Sequence, residues 1–119
     1  MTQEQKQLLL VDLSARLPYN VAIDCRDEDS RFTCYLTTDI LREIQNNTYY
    51  WEYKPYLFPM SSMTEEQKEE HQSLIRGHYS FDANGNVFTL QDFYCKNHFD
   101  YRGLIPMGLA NNATGLNIY

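Results

Sequence analysis

The chain has 119 residues, a length that fits one domain over residues 1–119 with a single core. Its 16 acidic and 10 basic side chains give a formal charge of −6, which argues against a nucleic-acid partner because clustered Lys and Arg supply most of that affinity. The longest apolar run, Leu8–Val11, is far shorter than the ~20 residues of a membrane span, and no secretory signal opens the chain. We therefore expect a cytoplasmic protein that binds neither nucleic acid nor membrane.

The first predicted element is an N-terminal helix. Thr2 and Gln5 are spaced as a capping box, in which each side chain binds the backbone amide of the other residue. An apolar stripe follows at helical spacing, formed by Leu9, Leu10, Val11, Leu13 and Leu17. Asp12 and Arg16 fall opposite this stripe, on the face expected to be polar, and Pro18 ends the helix.

Two strands are predicted next. Apolar and polar residues alternate over 21–25 and again over 31–36, and the polar loop Asp27–Ser30 between them indicates a hairpin. Residues 37–47 fit two interpretations. Either Asp39 caps a short helix, or residues 40–45 pair with the next strand across a turn; the pairing is the favoured interpretation.

An aromatic strip follows, in which Tyr49, Trp51 and Tyr53 share one face of a predicted strand. Such a strip either binds a partner or packs against the core, and packing is the commoner use of aromatic residues in strands. Lys54–Pro59 is predicted to run extended as a connector, because each proline disfavours the helical region for the residue before it.

The second half of the chain alternates helix and hairpin signals. Two overlapping capping boxes, one at Ser62 and Glu65 and one at Thr64 and Gln67, begin a helix that ends at Gly77. Asn84-Gly85 predicts a hairpin between residues 79–82 and 86–88, and Thr89 can cap a last helix that runs to Asn97. The two histidines of this region, His71 and His78, are expected to face solvent.

The densest stretch of the sequence is Asn97–Ala110, where aromatic, charged and small residues crowd together without a helical or strand period. His98, Asp100 and Arg102 within it could bind an anionic ligand through the guanidinium group. Alternatively, these side chains form an internal ion pair that holds the C-terminal segment to the body of the protein. The abundance of apolar residues around them favours the second interpretation.

Three blocks carry a resemblance to a known family: Gln5–Tyr19, Lys54–Gln67 and Asn97–Ala110. In these blocks the chain resembles a family of small uncharacterised proteins carried by phages, prophages and mobile elements of gut anaerobic bacteria. The resemblance implies a bacterial cytoplasmic setting and a role in phage or element biology, and it brings no catalytic residue. The segment Val21–Tyr53 lies outside the blocks. If its strands present the working surface and the blocks form the scaffold, partner specificity is expected in residues 24–53.

The cysteines, His98 and the acidic loop residues do not have the spacing of a metal or catalytic site. Cys25, Cys34, Cys95 and His98 would suffice in number for zinc, but structural zinc ligands usually come in close pairs. The loop Asp82–Asn86 has its glycine at the wrong position for calcium. Cys95 and His98 could act as nucleophile and base, but no oxyanion loop accompanies them. We expect no metal, no cofactor and no catalytic residue.

The sequence therefore predicts an α+β domain with an N-terminal helix, a small antiparallel sheet that is either open or barrel-like, and helical C-terminal elements. The expected function is that of a non-enzymatic protein-binding or adaptor protein whose partner is another protein. The binding candidates are Tyr49, Trp51, Tyr53, Asp100 and Arg102. The alternative is a small-ligand enzyme or sensor that uses His98, Asp100 and Arg102.

Overall fold

The computed structural model describes residues 1–46 and 51–119. Four α-helices lie in these ranges: α1 Gln3–Arg16, α2 Thr38–Asn46, α3 Glu65–Ile75 and α4 Leu90–Lys96. The strands there are β1 Ala22–Arg26, β2 Arg31–Tyr35, β3 Glu52–Leu57, β4 Ser80–Phe81, β5 Val87–Phe88 and β6 Asn111–Asn112. Short 3-10 turns occur at Leu17–Tyr19 and Met60–Ser62.

The main sheet has the strand order β2-β1-β3-β6. Strand β1 runs antiparallel to both β2 and β3, whereas β6 runs parallel to β3, and β4 and β5 form a separate hairpin. The predicted α+β class is confirmed. The described strands form an open and mixed sheet, so the barrel-like and wholly antiparallel variants of the prediction are wrong. Closure would require the two edge strands to meet, and β6 is only two residues long.

Helix α1 begins as predicted, with Thr2 and Gln5 forming a complete capping box. Leu9 and Leu13 of the stripe are buried in the main core. The expected polar face is wrong, however, because Asp12 and Arg16 are fully buried. This helix is covered on two sides, by apolar residues along the stripe and by the C-terminal segment along the charged side.

The β1–β2 hairpin is confirmed. Ile23 pairs with Cys34 and Cys25 with Phe32, and the Asp27 carboxylate accepts the backbone N–H groups of Asp29 and Ser30 in the loop. This Asx-type bond explains why a polar four-residue break can reverse the chain.

Residues 40–45 belong to helix α2, so the favoured pairing with the next strand is wrong. The Thr37 hydroxyl accepts the N–H group of Ile40 at 3.3 Å near the helix start. Ile44 is buried in the main core, and Ile40 and Leu41 pack against it. Helical spacing brings these three side chains to one face, which a strand would have split between two faces.

The connector predicted at Lys54–Pro59 is extended, but most of it is strand β3, and β3 lies inside the sheet. Pro55 is tolerated there because it lies opposite Ile23, a residue whose backbone groups face β2. The missing N–H group of the proline therefore costs no bond to β1.

Helix α3 begins with the capping box at Thr64, one of the two predicted there, and α4 begins at the predicted cap Thr89, where Asp92 completes a capping box. The β4–β5 hairpin turns at Asn84-Gly85 as predicted. His78 is exposed as expected. The same expectation for His71 is wrong, because its Nε2 lies 2.8 Å from the Tyr94 hydroxyl and its ring stacks on Phe93. No helix among the described residues is long and apolar enough to cross a membrane.

Candidate functional site

The segment after α4 is fastened to the end of strand β3. His98 adopts a left-handed conformation with φ 59°, which turns the chain sharply. Phe58 then donates its N–H group to the His98 carbonyl at 2.8 Å and accepts the N–H group of Asp100 at 2.9 Å. This bridge fixes the backbone from which the His98, Asp100 and Arg102 side chains extend.

The Asp100 carboxylate accepts hydrogen bonds from the backbone of its own segment. Its carboxylate oxygens accept the N–H group of Leu104 at 2.8 Å and that of Ile105 at 2.9 Å. Asp100 is itself buried. The predicted partner, Arg102, is therefore not the group that satisfies this carboxylate.

Arg102 instead reaches helix α1. Its Nε lies 3.3 Å from Oδ1 of Asp12, and its guanidinium lies over the Tyr101 ring. Asp12 also receives two hydrogen bonds from Arg16, from Nε at 2.7 Å and from Nη2 at 3.1 Å. Arg16 Nη2 further donates to the Phe99 carbonyl at 2.7 Å. One buried carboxylate thus joins two arginines and ties the C-terminal segment to α1.

The His98 ring stacks against the side chain of Tyr119. The two rings are stacked with centroids 3.6 Å apart and an interplanar angle of 9°. Burial, and then the positive charge of Arg16, lower the pKa of His98 to about 4, so the imidazole is neutral near pH 7. A cavity of about 540 Å³ borders these rings and is also lined by Tyr19 and Tyr35.

Tyr119 itself joins two strands. In the β1–β3 ladder, Ala22 would be the next residue to pair with Tyr56. The Tyr119 hydroxyl lies between them, accepting the Ala22 N–H group at 2.9 Å and donating to the Tyr56 carbonyl at 2.6 Å. No sequence pattern marked this residue.

The aromatic strip has a different outcome at each position. Tyr49 lies outside the described residues. Trp51 precedes β3, is half-buried, and meets the Phe32 ring edge-on with centroids 5.0 Å apart. Tyr53 lies in β3, packs against the main core and donates its hydroxyl to Glu43 of α2. Trp51 and Tyr53 therefore have the packing role that was favoured for the strip.

The cysteines lie in two separate places. Cys25 and Cys34 are neighbours on the core face of the sheet, whereas Cys95 lies 3.9 Å from the Tyr101 hydroxyl. Within residues 1–46 and 51–119, no three His, Cys, Asp or Glu side chains group as metal ligands. Burial raises the pKa of the Cys95 thiol, which disfavours the thiolate that a nucleophile needs.

Strand β2 forms an edge of the main sheet, and no described strand pairs with its outer side. Phe32 is 47% exposed and Tyr35 is 58% exposed. Phe32 pairs with the buried Cys25 and yet is exposed, because alternation gives the two faces of a strand but does not tell which strand ends the sheet.

Comparison of the chain with protein-family models, with curated proteins and with solved structures finds no match.

Proposed function

We propose that the protein is a non-enzymatic protein-binding or adaptor protein, and that its partner adds a strand to the outer edge of β2. The observation that carries this proposal is the open edge of β2 together with its two exposed aromatic side chains. Strand addition is a common way for a sheet to recognise an extended segment, because main-chain hydrogen bonds supply affinity and side chains supply specificity.

The hydrogen-bond pattern identifies the groups that such a partner would use. Leu36 donates to the Val21 carbonyl at 3.0 Å, and Asp27 donates to the Ser30 carbonyl at 2.9 Å. Because bonded pairs alternate along an antiparallel ladder, the backbone groups of Thr33 point away from β1. The same holds for the residues two positions away, Arg31 and Tyr35.

The flanking side chains would supply specificity. Tyr35 shares the sheet face of Ala22, its partner in the ladder, and borders the cavity beside His98. Phe32 projects from the opposite face, next to Trp51. An added strand would therefore meet an exposed aromatic ring on each face, and aromatic rings are enriched where binding energy is concentrated. These residues lie within 24–53, the range in which specificity was expected.

The alternative function, a small-ligand enzyme or sensor, needs His98, Asp100 and Arg102 at one site. Asp100 binds two backbone N–H groups and Arg102 pairs with Asp12, while His98 lies against Tyr119. The contacts of these three side chains support structural roles, so the adaptor function is the one proposed.

The biological setting of the proposal comes from the resemblance alone. The three resembling blocks support a phage or mobile-element origin and a cytoplasmic location in a bacterial host. Within that setting the proposed adaptor would interfere with a host or defence system through its protein partner. The excess of acid over base remains the reason for proposing no nucleic-acid partner.

The test is affinity capture from the native bacterial cell with matched variants at position 33. Thr33→Pro removes the outward N–H group without removing a bond to β1, whereas Thr33→Ala keeps that N–H group. We expect a partner that co-purifies with the parent and with Thr33→Ala but is lost with Thr33→Pro. Thermal melting must first show that all three are folded. If the folded Thr33→Pro variant captures the same partners as the parent, the proposal is contradicted.

A further inference from the structure

A second surface of the molecule is formed by the β4–β5 hairpin. Each strand pairs over only two residues, and a hairpin of this size gains little stability alone. It nevertheless exposes large apolar side chains: Phe81 is 70% exposed, Tyr79 is 62% exposed and Val87 is 49% exposed. Exposed apolar side chains grouped in this way are typical of a surface that another molecule covers.

A groove runs beside these side chains. A cavity of about 600 Å³ lies between the hairpin and helix α4 and is lined by Phe81, Val87 and Phe88. Its volume is within the ~300–1,000 Å³ of typical ligand pockets. Tyr19 lines this cavity and also the one beside His98. The Tyr19 hydroxyl is held by Asp92 at 3.0 Å.

The charges of the groove select the class of partner. Glu70, Asp82 and Asp92 line the cavity beside the hairpin, against one ammonium group, that of Lys96. Asp92 stays ionised because hydrogen bonds from Thr89 and Tyr19 lower its pKa against the opposing effect of burial. None of the ion pairs among the described residues includes the Glu70 carboxylate. An excess of acid beside apolar rings repels nucleic acids and anionic membranes and attracts Lys or Arg.

We infer that this groove binds an extended segment of a partner protein that carries Lys or Arg next to a leucine-sized or aromatic side chain. The apolar side chain fills the recess at Phe81, and the cation pairs with Glu70 and its acidic neighbours. The inference rests on the proposed protein-binding role but uses a different surface from the β2 edge. Binding at the β2 edge and binding in the groove can therefore be measured separately.

The probe is a blocked peptide of alternating Gly, Lys and Leu, compared with the same peptide carrying Glu in place of Lys. Binding is followed by NMR on the full chain. We expect amide shifts concentrated at residues 80–88 and around Tyr19 for the Lys peptide, with affinity falling as salt rises. The Glu peptide is expected to cause no such shifts.

Matched variants locate the site. Phe81→Ser is expected to weaken binding of the Lys peptide about tenfold and Glu70→Gln about threefold. Ile75→Ser is the control, because Ile75 is 56% exposed and nearby but does not line the cavity, and it should change affinity by less than about twofold. Because Glu70 lies on α3 and not in the hairpin, Glu70→Gln still tests the site if Phe81→Ser disorders the hairpin.

Several results would overturn the inference. They are shifts scattered over the surface, equal binding of the Glu peptide, no binding of the Lys peptide, or an effect of Ile75→Ser as large as that of Phe81→Ser. The Thr33→Pro variant distinguishes failure of this inference from failure of the proposed function. That variant removes a group at the β2 edge and should leave binding of the Lys peptide unchanged.

Discussion

Arg102 Nε lies 3.3 Å from Oδ1 of Asp12, and the Asp12 side chain has no solvent exposure. This contact joins a segment that follows the last helix to the first helix of the chain. The arginine is 24% exposed at its side chain, whereas the second partner of Asp12, Arg16, is fully buried. The two arginines therefore depend on the same carboxylate to different degrees.

The first prediction is that loss of the Asp12 side chain lowers the free energy of unfolding more than loss of the Arg102 side chain does. Arg102→Ala leaves Asp12 bound to Arg16 and should lower the free energy of unfolding by about 1–2 kcal/mol. Asp12→Ala leaves the buried Arg16 guanidinium without its ion pair and should cost about 3–5 kcal/mol. Urea unfolding followed by circular dichroism measures both values. Equal costs, or a larger cost for Arg102→Ala, would show that Arg16 is satisfied without Asp12.

The second prediction concerns Asp100, whose two oxygens accept two adjacent backbone N–H groups. Asp100→Asn keeps one acceptor oxygen and should cost about 1–2 kcal/mol, because one buried N–H group loses its partner. Hydrogen exchange should quicken at Leu104 or Ile105. Asp29→Asn, an exposed carboxylate changed in the same way, is the control and should leave melting unchanged. Unaltered melting of Asp100→Asn would favour a binding role for this carboxylate.

The third prediction is a pH dependence due to His98. The folded-state pKa is about 4 and the unfolded-state pKa is about 6.5, so the unfolded chain takes up the proton first as pH falls. Stability due to this group is therefore constant above pH ~6.5, falls between pH ~6.5 and ~4, and levels off below. Since the ring is only partly buried, the total loss is expected to be about 1–2 kcal/mol.

His98→Asn is the matched variant for this measurement, because Asn tolerates the left-handed φ of 59° at that position. Free energies of unfolding are measured for parent and variant from pH 7.5 to pH 4, roughly spanning both pKa values. The difference between them should change with pH in the stated range and be constant above it. Parallel curves throughout would show that His98 keeps an ordinary pKa in the folded protein.

How far the sequence predicts the fold depends on the range of the interactions. The helix starts at Thr2, Thr64 and Thr89 were predictable because a capping box closes within four residues. The burial of Arg16 was not, because one of its partners, the Phe99 carbonyl, is 83 positions away in the chain. Helix α2 was one of the two interpretations of residues 37–47 but not the favoured one, although only a helix brings Ile40, Leu41 and Ile44 to one face.

The candidate site shows the same division. The crowding of aromatic and charged residues in 97–110 drew attention to a segment with many contacts. The partner of Arg102, however, is Asp12 on helix α1. The apolar stripe of that helix had led us to expect Asp12 on its polar face. The β2 edge was not predictable from alternation. Strand β6, Asn111–Asn112, carries no apolar pattern, and it pairs because the preceding segment brings it beside β3.

The last prediction concerns Tyr119, whose hydroxyl takes the place of a direct bond between Ala22 and Tyr56. Tyr119→Phe keeps the ring on His98 but removes the acceptor for one N–H group and the donor for one carbonyl. Because Ala22 is buried, we expect a cost of about 1–3 kcal/mol and faster hydrogen exchange at the Ala22 amide. Tyr79→Phe, which alters a phenol that is 62% exposed, is the control. If Tyr119→Phe leaves the Ala22 amide as protected as in the parent, strands β1 and β3 close directly and the hydroxyl is dispensable.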